Sequence, residues 1–482
     1  MGEHIADERS LLLSRTSSIA SKEEEDVTFD ILHDLSALIR RTIPICLSFA
    51  LQNLVQAISA LIAGSLGSFE LGVTSFGFMF FSCTGTMTAI GGATALDTLC
   101  GQAFTSNSVA DNPKILGLLL QQCVLVLLGI FGVVFAPIWV FSGRFFIALG
   151  QQPDFAFATG KFLVLMLPAG VLQIVAESLK KFLQVQGESN IVGVSTAVAS
   201  CLGVLVTFVL VRLTKLKLWG VPCAFCIYQF VTVVALLCII FRKPAVRKTW
   251  HGSIVGIQKG ISRLIFYAVT GIFTCATEWW SFEILAMMAA RLDPSSIGAQ
   301  SILMSSDLLL TTVALGISVA SSHRIAGYLG AGKGREARRA IATPYLLSFI
   351  IGAIEFVGIM LARNSYGRIF TGDETVIEKT AQVLPLMAGF QVLDLSNGGA
   401  SGILRGAGKT HMAGVCNFVA YYGVGLTTAW FLCFRKQYGV FGLWAGIITG
   451  SGALLVLQSC CILSIRWKRL AKEVSRLHDT SE

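Results

Sequence analysis

Acidic residues interrupt several long apolar stretches in the second half of the sequence: Glu278, Glu283, Asp307, Glu355 and Asp394. An ionisable side chain at membrane depth is energetically expensive, and residues kept there usually serve the passage of ions, protons or substrates. A carboxylate in a medium of low dielectric constant attracts a cation and can also load and release a proton. These acids therefore predict a site that binds protons or other cations.

Glu278 has the most central position of the five acids. It lies 15 residues after Arg263 and 13 before Arg291, which places it near the middle of a membrane-spanning helix. Trp279 follows directly, and the faces of indole rings attract organic cations. Glu278 is therefore predicted to couple transport to protons or cations and Trp279 to line the cavity, whereas Trp280 points about 100° away and suits a lipid-facing position.

Asp394 is the second predicted coupling residue. It lies in the segment VLDLSNGGASG, residues 392–402, where Asn397 and two glycines follow the acid. Small residues permit close contact between helices and a locally unwound turn. Packing explains the glycines but not the acid, so Asp394 is predicted to be functional and Asn397 to lie in the cavity. The other acids suit either direct coupling or relay, or a structural hydrogen bond; they are Glu283, Asp307 and Glu355.

The composition of the chain indicates a membrane protein. Of its 482 residues 54% are hydrophobic and 13% charged, where an average soluble protein has about a quarter of its residues charged. This argues against a soluble enzyme, a nucleic-acid-binding protein and a disordered scaffold. The net charge of +9 is spread in short basic clusters between apolar runs, which is typical of membrane proteins.

Twelve apolar stretches are long enough to cross a bilayer, which requires about 20 helical residues each. They lie near 43–63, 71–97, 116–141, 155–176, 191–211, 218–241, 261–290, 297–320, 340–361, 376–403, 413–434 and 440–465. These spans lack the alternating pattern of barrel strands, so the predicted fold is an all-α integral membrane bundle. With the first end inside, inner segments hold 26 Lys and Arg residues against 9 outside, which predicts cytoplasmic termini.

The two halves of the chain are related by an internal repeat. Residues after span 1 match residues after span 7 at an offset of 226, and spans 4 and 10 match at an offset of 221. Each half has six spans, so the predicted repeat is parallel. The predicted divisions are a polar tail (1–40), an N-lobe (41–241), a basic linker (242–260), a C-lobe (261–465) and a C-terminal tail (466–482).

The repeat also pairs acids with amides. At these offsets Glu278 corresponds to Gln52, and Asp394 corresponds to Gln173. Each of these two C-lobe carboxylates is thus matched by an uncharged amide in the N-lobe. This contrast places the proton or cation site in the C-lobe and predicts Gln52 and Gln173 as polar partners in the cavity.

Four motifs in order along the chain resemble the multidrug and toxic compound extrusion (MATE) family, in its eukaryotic branch. They are ALDTLCGQAF (95–104), EWWSFE (278–283), RIAGYLGAG (324–332) and ILRGAG (403–408). The resemblance implies a V-shaped carrier of twelve helices that exports organic cations or amphiphilic metabolites in exchange for protons, or for sodium in some members. By the same resemblance, the family's C-lobe acidic positions are Glu278, Glu283 and Asp394.

The expected activity is therefore proton-coupled efflux by alternating access rather than enzymatic catalysis. The protein is expected to be a monomer in the plasma or vacuolar membrane, whose partners are the bilayer and its small-molecule cargo, without nucleic acid. No cofactor is expected beyond the proton gradient. Sodium is less favoured because span 1 lacks an acid.

Other classes of function remain open at this stage. A lipid-linked oligosaccharide flippase of similar fold would need cations in its cavity, and midspan cations are scarce. A membrane enzyme or a receptor fits the pattern less well. The six histidines all fall outside the centres of the spans and the thirteen cysteines are scattered, so neither a buried histidine catalyst nor a metal site is expected.

Overall fold

The computed structural model describes residues 31–106, 112–250, 258 and 260–479. Long helices occupy all twelve predicted spans. In chain order, spans 1 to 12 are Ile31–Gly64, Ser68–Phe104, Ile115–Val140, Pro153–Leu165 with Leu167–Val185, Ser189–Leu213, Lys217–Arg242, Ile261–Ala289, Pro294–Gly330, Ala342–Ala362, Glu374–Gly406, Thr410–Arg435 and Gly439–Ser464.

The apolar content of the helices sets two spans apart. In the described part of the chain, nine helices are long and apolar enough to cross a membrane, and the bent pair of span 4 makes ten. The remaining two spans, 7 and 10, are equally long but more polar. They carry Glu278 and Asp394, so the least apolar spans are those that hold the predicted coupling residues.

Span 4 is bent by 45° between Leu165 and Leu167. Pro168 follows in the first turn of the second segment. Because proline has no backbone N–H and its ring crowds the preceding turn, it accounts for the break at this point. The second segment runs to Val185, and its last two turns contain Lys180 and Lys181, two of the 26 basic residues counted on the inner side. Both lie within the helix and are buried.

Several helices run beyond the apolar stretches that predicted them. Span 1 begins at Ile31, inside the predicted polar tail, whose residues up to 30 lie outside the described part. Span 8 has 37 residues, a length of about 55 Å against about 30 Å of hydrocarbon. Its last ten residues, SSHRIAGYLG, are too polar to read as membrane-spanning but pack against other helices.

Two carboxylates fix where helices of the C-lobe begin. Asp293 caps span 8 by accepting a hydrogen bond from the Ser296 backbone N–H, and Asp373 caps span 10 in the same way through Thr375. The ammonium of Lys379 in span 10 lies 2.6 Å from the Asp293 carboxylate. This contact holds the pKa of Asp293 below its ordinary value and ties the two helices together.

The apolar core follows the two halves of the chain. One large cluster joins spans 1 to 6, and two further clusters occupy spans 7 to 12. The two lobes meet where spans 1 and 2 pack against spans 7 and 8. A fourth cluster lies at this meeting and includes Phe49, Ile90 and Ile317. The fold is the twelve-helix, two-lobe architecture expected from the sequence.

A further helix, Trp467–Asp479, follows span 12 within the predicted C-terminal tail. Its apolar face, formed by Trp467, Ala471 and Val474, is buried against the short helix Gly334–Arg339 and the end of span 8. The start of span 1 lies at the same end of the bundle, because Asp34 contacts Arg324. We call this end the termini end.

Candidate transport site

A small cavity lies beside the meeting of the two lobes. Its volume is about 50 Å³, which holds a few water molecules but not a drug-sized molecule. Spans 7, 8, 10, 11 and 12 supply most of its lining, and Thr94 of span 2 contributes from the other lobe. The lining includes the predicted residues Glu278, Trp279, Asp394 and Asn397, together with Arg405.

The carboxylates of the C-lobe are held by neutral hydrogen-bond donors. The Thr311 hydroxyl donates to Asp394 at 3.2 Å, and the Gln391 amide donates to Asp307 at 2.7 Å. Glu355 has one buried oxygen without a hydrogen-bond partner among the described residues. Asp307 and Asp394 are both at least nine-tenths buried. The arrangement suits groups that exchange protons, since neutral donors do not fix a carboxylate in its charged form as a cation would.

The acids of the N-lobe are bound differently. The ammonium of Lys180 lies 2.8 Å from Glu177, and that of Lys181 lies 3.0 Å from Asp97. In the described part of the chain, no salt bridge is formed by the five C-lobe acids of the sequence analysis. Buried charge is therefore compensated in one lobe and left uncompensated in the other.

The amides predicted as cavity partners lie elsewhere in the N-lobe. Gln52 donates to Glu177 at 3.1 Å and accepts from Lys180 at 3.3 Å, so it completes that buried pair. Gln173 donates to the Thr86 hydroxyl at 3.2 Å. Neither lines the cavity that contains Glu278 and Asp394. The repeat places the amides correctly within their lobe but does not bring them to the acids.

The side chains of the EWWSFE segment lie in two different environments. Trp279 lines the cavity, while Trp280 is 44% exposed and donates its indole N–H to the Cys83 carbonyl at 3.1 Å. Glu283 lies on the same helix, 3.5 Å from the Cys83 sulfur, and does not line the cavity. Asn397 lines the cavity and donates to the Ser451 hydroxyl at 2.8 Å.

A buried charge cluster at the termini end of the cavity was not predicted from the sequence. Around the Asp97 carboxylate lie Lys181 at 3.0 Å, His323 at 2.7 Å and Arg405 at 3.4 Å. Asp97 and Lys181 belong to the N-lobe, whereas His323 and Arg405 belong to the C-lobe. His323 lies outside the predicted centre of its span, and it is nevertheless buried because the polar end of span 8 continues as a packed helix.

Further hydrogen bonds close the termini end around this cluster. Thr98 donates to the Arg405 carbonyl at 2.7 Å, and Gln102 donates to the Gly406 carbonyl at 3.1 Å. A second group centres on Asp34, which pairs with Arg324 and accepts from the Thr343 hydroxyl at 2.6 Å. All of these contacts join one lobe to the other.

The opposite end of the bundle is joined more sparsely. Among the described residues, no hydrogen bond or ion pair links residues 54–81, which include the ends of spans 1 and 2 at that side, to the C-lobe. Nearer the middle of the bundle, the Asn53 amide donates to the Leu308 carbonyl at 3.4 Å and the Trp280 indole donates to the Cys83 carbonyl. In the described part of the chain, the ion pairs between the lobes therefore lie at the termini end. This asymmetry describes one state of a two-lobe carrier.

A membrane bundle of two six-helix lobes, with buried acids beside a cavity at their interface, is the architecture of a membrane transporter. The family model MatE matches residues 44–209 and 271–431. The chain belongs to the MatE family, and this agrees with the resemblance found in its motifs.

Relatives of the chain match it over nearly all its length. An uncharacterized transporter of Schizosaccharomyces pombe, C4B3.13, is 30% identical over 92% of this chain and 82% of its own. Multidrug and toxin extrusion protein 2 of Mus musculus is 29% identical over 92% of this chain and 77% of its own. The crystal structure of the eukaryotic MATE transporter AtDTX14 superposes with a TM-score of 0.86 at 25% identity, covering 93% of this chain and 99% of that one.

Proposed function

We propose that the protein exports organic cations or amphiphilic compounds in exchange for protons, and that Glu278 and Asp394 bind both in turn. The observation that carries this proposal is the contrast between the lobes. Acids that serve only packing would be expected to have a compensating cation, as Asp97 and Glu177 do. Glu278 and Asp394 share a cavity in which the one basic group among the described lining residues is Arg405, already bound to Asp97.

The cycle follows from the charge of the cavity. When Glu278 and Asp394 are ionised, they attract a cationic cargo strongly because little water screens them. Protonation at the acidic side of the membrane removes that attraction and releases the cargo. The protonated cavity is nearly neutral, so the lobes can then exchange which end is open. Glu283, Asp307 and Glu355 are assigned to supporting or relay roles around this site.

Arg405 connects the cavity to the closure of the termini end. Its guanidinium lines the cavity and also contacts Asp97 across the lobe interface. Ionised acids in the cavity compete with Asp97 for this cation. Loss of the cavity protons is therefore expected to weaken the closure and to favour opening at the termini end. We assign that end to the cytoplasm, in a monomer of the plasma or vacuolar membrane.

The driving force is sufficient for accumulation. Each pH unit supplies about 1.36 kcal/mol per proton, which corresponds to about a tenfold concentration ratio. Membrane potential adds about 2.3 kcal/mol for each 100 mV per net charge moved, and adds nothing when one monovalent cation is exchanged for one proton. A one-for-one exchange of cargo for proton would thus concentrate the cargo about a hundredfold across two pH units.

The test is uptake of a fluorescent organic cation into proteoliposomes with an imposed pH gradient. Parallel vesicles carry a sodium gradient or no gradient. Accumulation with the pH gradient alone supports proton exchange. Accumulation with the sodium gradient alone would reassign the coupling ion. If neither gradient drives uptake across a panel of cations, the cargo is of another class and the proposal fails.

A further inference from the structure

A basic groove lies at the termini end, away from the transport cavity. It is formed by the short helix Gly334–Arg339, the start of span 9, the end of span 12 and the helix Trp467–Asp479, and it encloses about 900 Å³. Among the described residues, the groove is lined by no acidic side chain and by six basic ones, Arg335, Arg338, Arg339, Arg466, Lys468 and Arg469.

Most of these cations are not neutralised by the protein. In the described part of the chain, no ion pair is formed by Arg335, Arg338, Arg466 or Lys468, and all four are exposed. Arg469 is paired with Glu473 at 2.7 Å. Mutual repulsion among so many cations disfavours the arrangement unless an anion lies between them.

The fold nevertheless holds the two basic elements close together. A Cβ atom at Gly334 would lie 2.7 Å from the Trp467 carbonyl oxygen and 3.0 Å from the Ala471 Cβ. Trp467 and Ala471 are buried in this contact. The short helix and the C-terminal helix are therefore packed backbone to backbone. The fold itself holds their basic side chains close together.

One wall of the groove is apolar and lies at the membrane boundary. Ile341, Leu463 and Ile465 line it, and Leu463 is 82% exposed. Span 12 ends at Ser464 and span 9 begins at Ala342, so this wall stands where hydrocarbon gives way to headgroups. A free anion makes no favourable contact with an apolar surface, whereas the acyl chains of a phospholipid would pack along it.

We propose that this groove binds an anionic phospholipid whose headgroup carries phosphate monoesters. The phosphates would lie among Arg335, Arg338 and Arg466, because guanidinium groups bind phosphate oxygens in a bidentate manner. The acyl chains would run past Ile341 and Leu463 into the bilayer. Basic pockets between helices at the headgroup level are known to recognise such lipids. The binding does not depend on the proposed cargo or coupling ion.

The experiment measures binding of a fluorescent short-chain phospholipid with a bisphosphorylated inositol headgroup to the purified full-length protein. The triple variant Arg335→Gln, Arg338→Gln and Arg466→Gln is expected to bind about a hundredfold more weakly, from about 1 kcal/mol per basic residue. The matched control removes three exposed cations at the same end outside the groove, Arg242→Gln, Arg247→Gln and Lys248→Gln, and should stay within about twofold of the parent protein.

A second triple variant shows whether weak binding by the first is caused by loss of the charges or by misfolding. Replacing the same three arginines by lysine keeps the charges but not the bidentate geometry, and should bind the lipid more tightly than the glutamine variant and more weakly than the parent protein. Further arms use the free headgroup, inorganic phosphate and a phosphocholine lipid of the same chain length, all of which should bind much more weakly. The proposal is overturned if the glutamine triple variant and its control bind alike, or if free headgroup and inorganic phosphate bind as tightly as the lipid.

Discussion

The Asp97 carboxylate of span 2 and the His323 imidazole of span 8 lie 2.7 Å apart across the interface between the two lobes. Both side chains are buried, and Lys181 and Arg405 contact the same carboxylate. One acid from the N-lobe is therefore surrounded by cations of both lobes at the termini end. In the proposed transport cycle the C-lobe partners leave with their lobe when this end opens, so we assign to Asp97 the role of holding the closed state.

Asp97→Asn should weaken this closure. The substitution leaves buried cations without their counter-charge, a change that costs about 3–5 kcal/mol for a buried pair. We expect hydrogen–deuterium exchange of the full-length protein to speed up by about tenfold or more in peptides covering residues 98–106 and 324–332. This measurement requires no change to the thirteen native cysteines.

Asp373→Asn provides the matched control for that experiment. It makes the same chemical change at the helix cap of span 10, at the opposite end of the bundle. Exchange in the two termini-end peptides should not respond to it. Equal exchange in Asp97→Asn and the parent protein would show that the cluster does not stabilise closure.

A substitution at the point where spans 2 and 7 cross tests how closely the two lobes must approach each other. A Cβ atom at Gly271 would lie 2.2 Å from the Gly91 carbonyl oxygen and 2.3 Å from the Thr94 hydroxyl. Gly271→Ala should therefore push the lobes apart and destabilise this state by about 1–3 kcal/mol. Thermal unfolding in detergent, together with the exchange measurement above, reports the effect.

A second alanine substitution separates the crossing from a general effect on helices. Gly129 of span 3 has no atom near enough to contact an added Cβ. Alanine is the better helix former by about 1 kcal/mol, so Gly129→Ala should be neutral or stabilising. Similar melting temperatures for the two variants would contradict the close approach of spans 2 and 7.

Substitutions at the buried ion pair of Lys180 and Glu177 test the claim that the charges of the N-lobe acids are compensated by cations. Lys180→Met leaves the Glu177 charge buried without its partner and should lower stability by about 3–5 kcal/mol. The double change of Lys180→Met with Glu177→Gln removes both charges and should recover most of that loss. Melting temperatures of the single and double variants give the coupling. If the stability losses of the two substitutions simply add, the coupling free energy between Lys180 and Glu177 is zero and the claim is contradicted.

The spans were predicted well because the length of each apolar stretch can be read directly from the sequence. The positions of Glu278 and Asp394 in the second lobe followed from the same reading, since an acid interrupts an apolar run visibly. Span ends were less accurate where a helix leaves the hydrocarbon but remains packed. The last ten residues of span 8 are of this kind, and they contain His323 and Arg324.

The interlobe cluster could not be derived from spacing. Asp97 and His323 lie at the 226-residue offset that relates the two halves of the chain, and Arg405 lies 308 residues after Asp97. Such an offset marks equivalent helices but does not show that they contact each other. A signal was nevertheless present, because Asp97 lies in ALDTLCGQAF, Arg405 lies in ILRGAG and His323 directly precedes RIAGYLGAG. These motifs identified the family without indicating that they meet. The repeat misled in a similar way by suggesting that Gln52 and Gln173 share the cavity, since internal symmetry relates the lobes but does not set their contacts.

The most direct test of the central claim measures protons released when cargo binds. Purified protein in weakly buffered detergent solution is mixed with a transported organic cation near neutral pH, and a pH dye records the change. If Glu278 and Asp394 bind proton and cargo in turn, the parent protein releases protons on mixing. The double variant Glu278→Gln and Asp394→Asn releases none, whereas Glu336→Gln, an acid of the short helix outside the cavity, behaves as the parent. Cargo binding by the parent without proton release, or undiminished release from the double variant, would contradict the exchange at these two carboxylates.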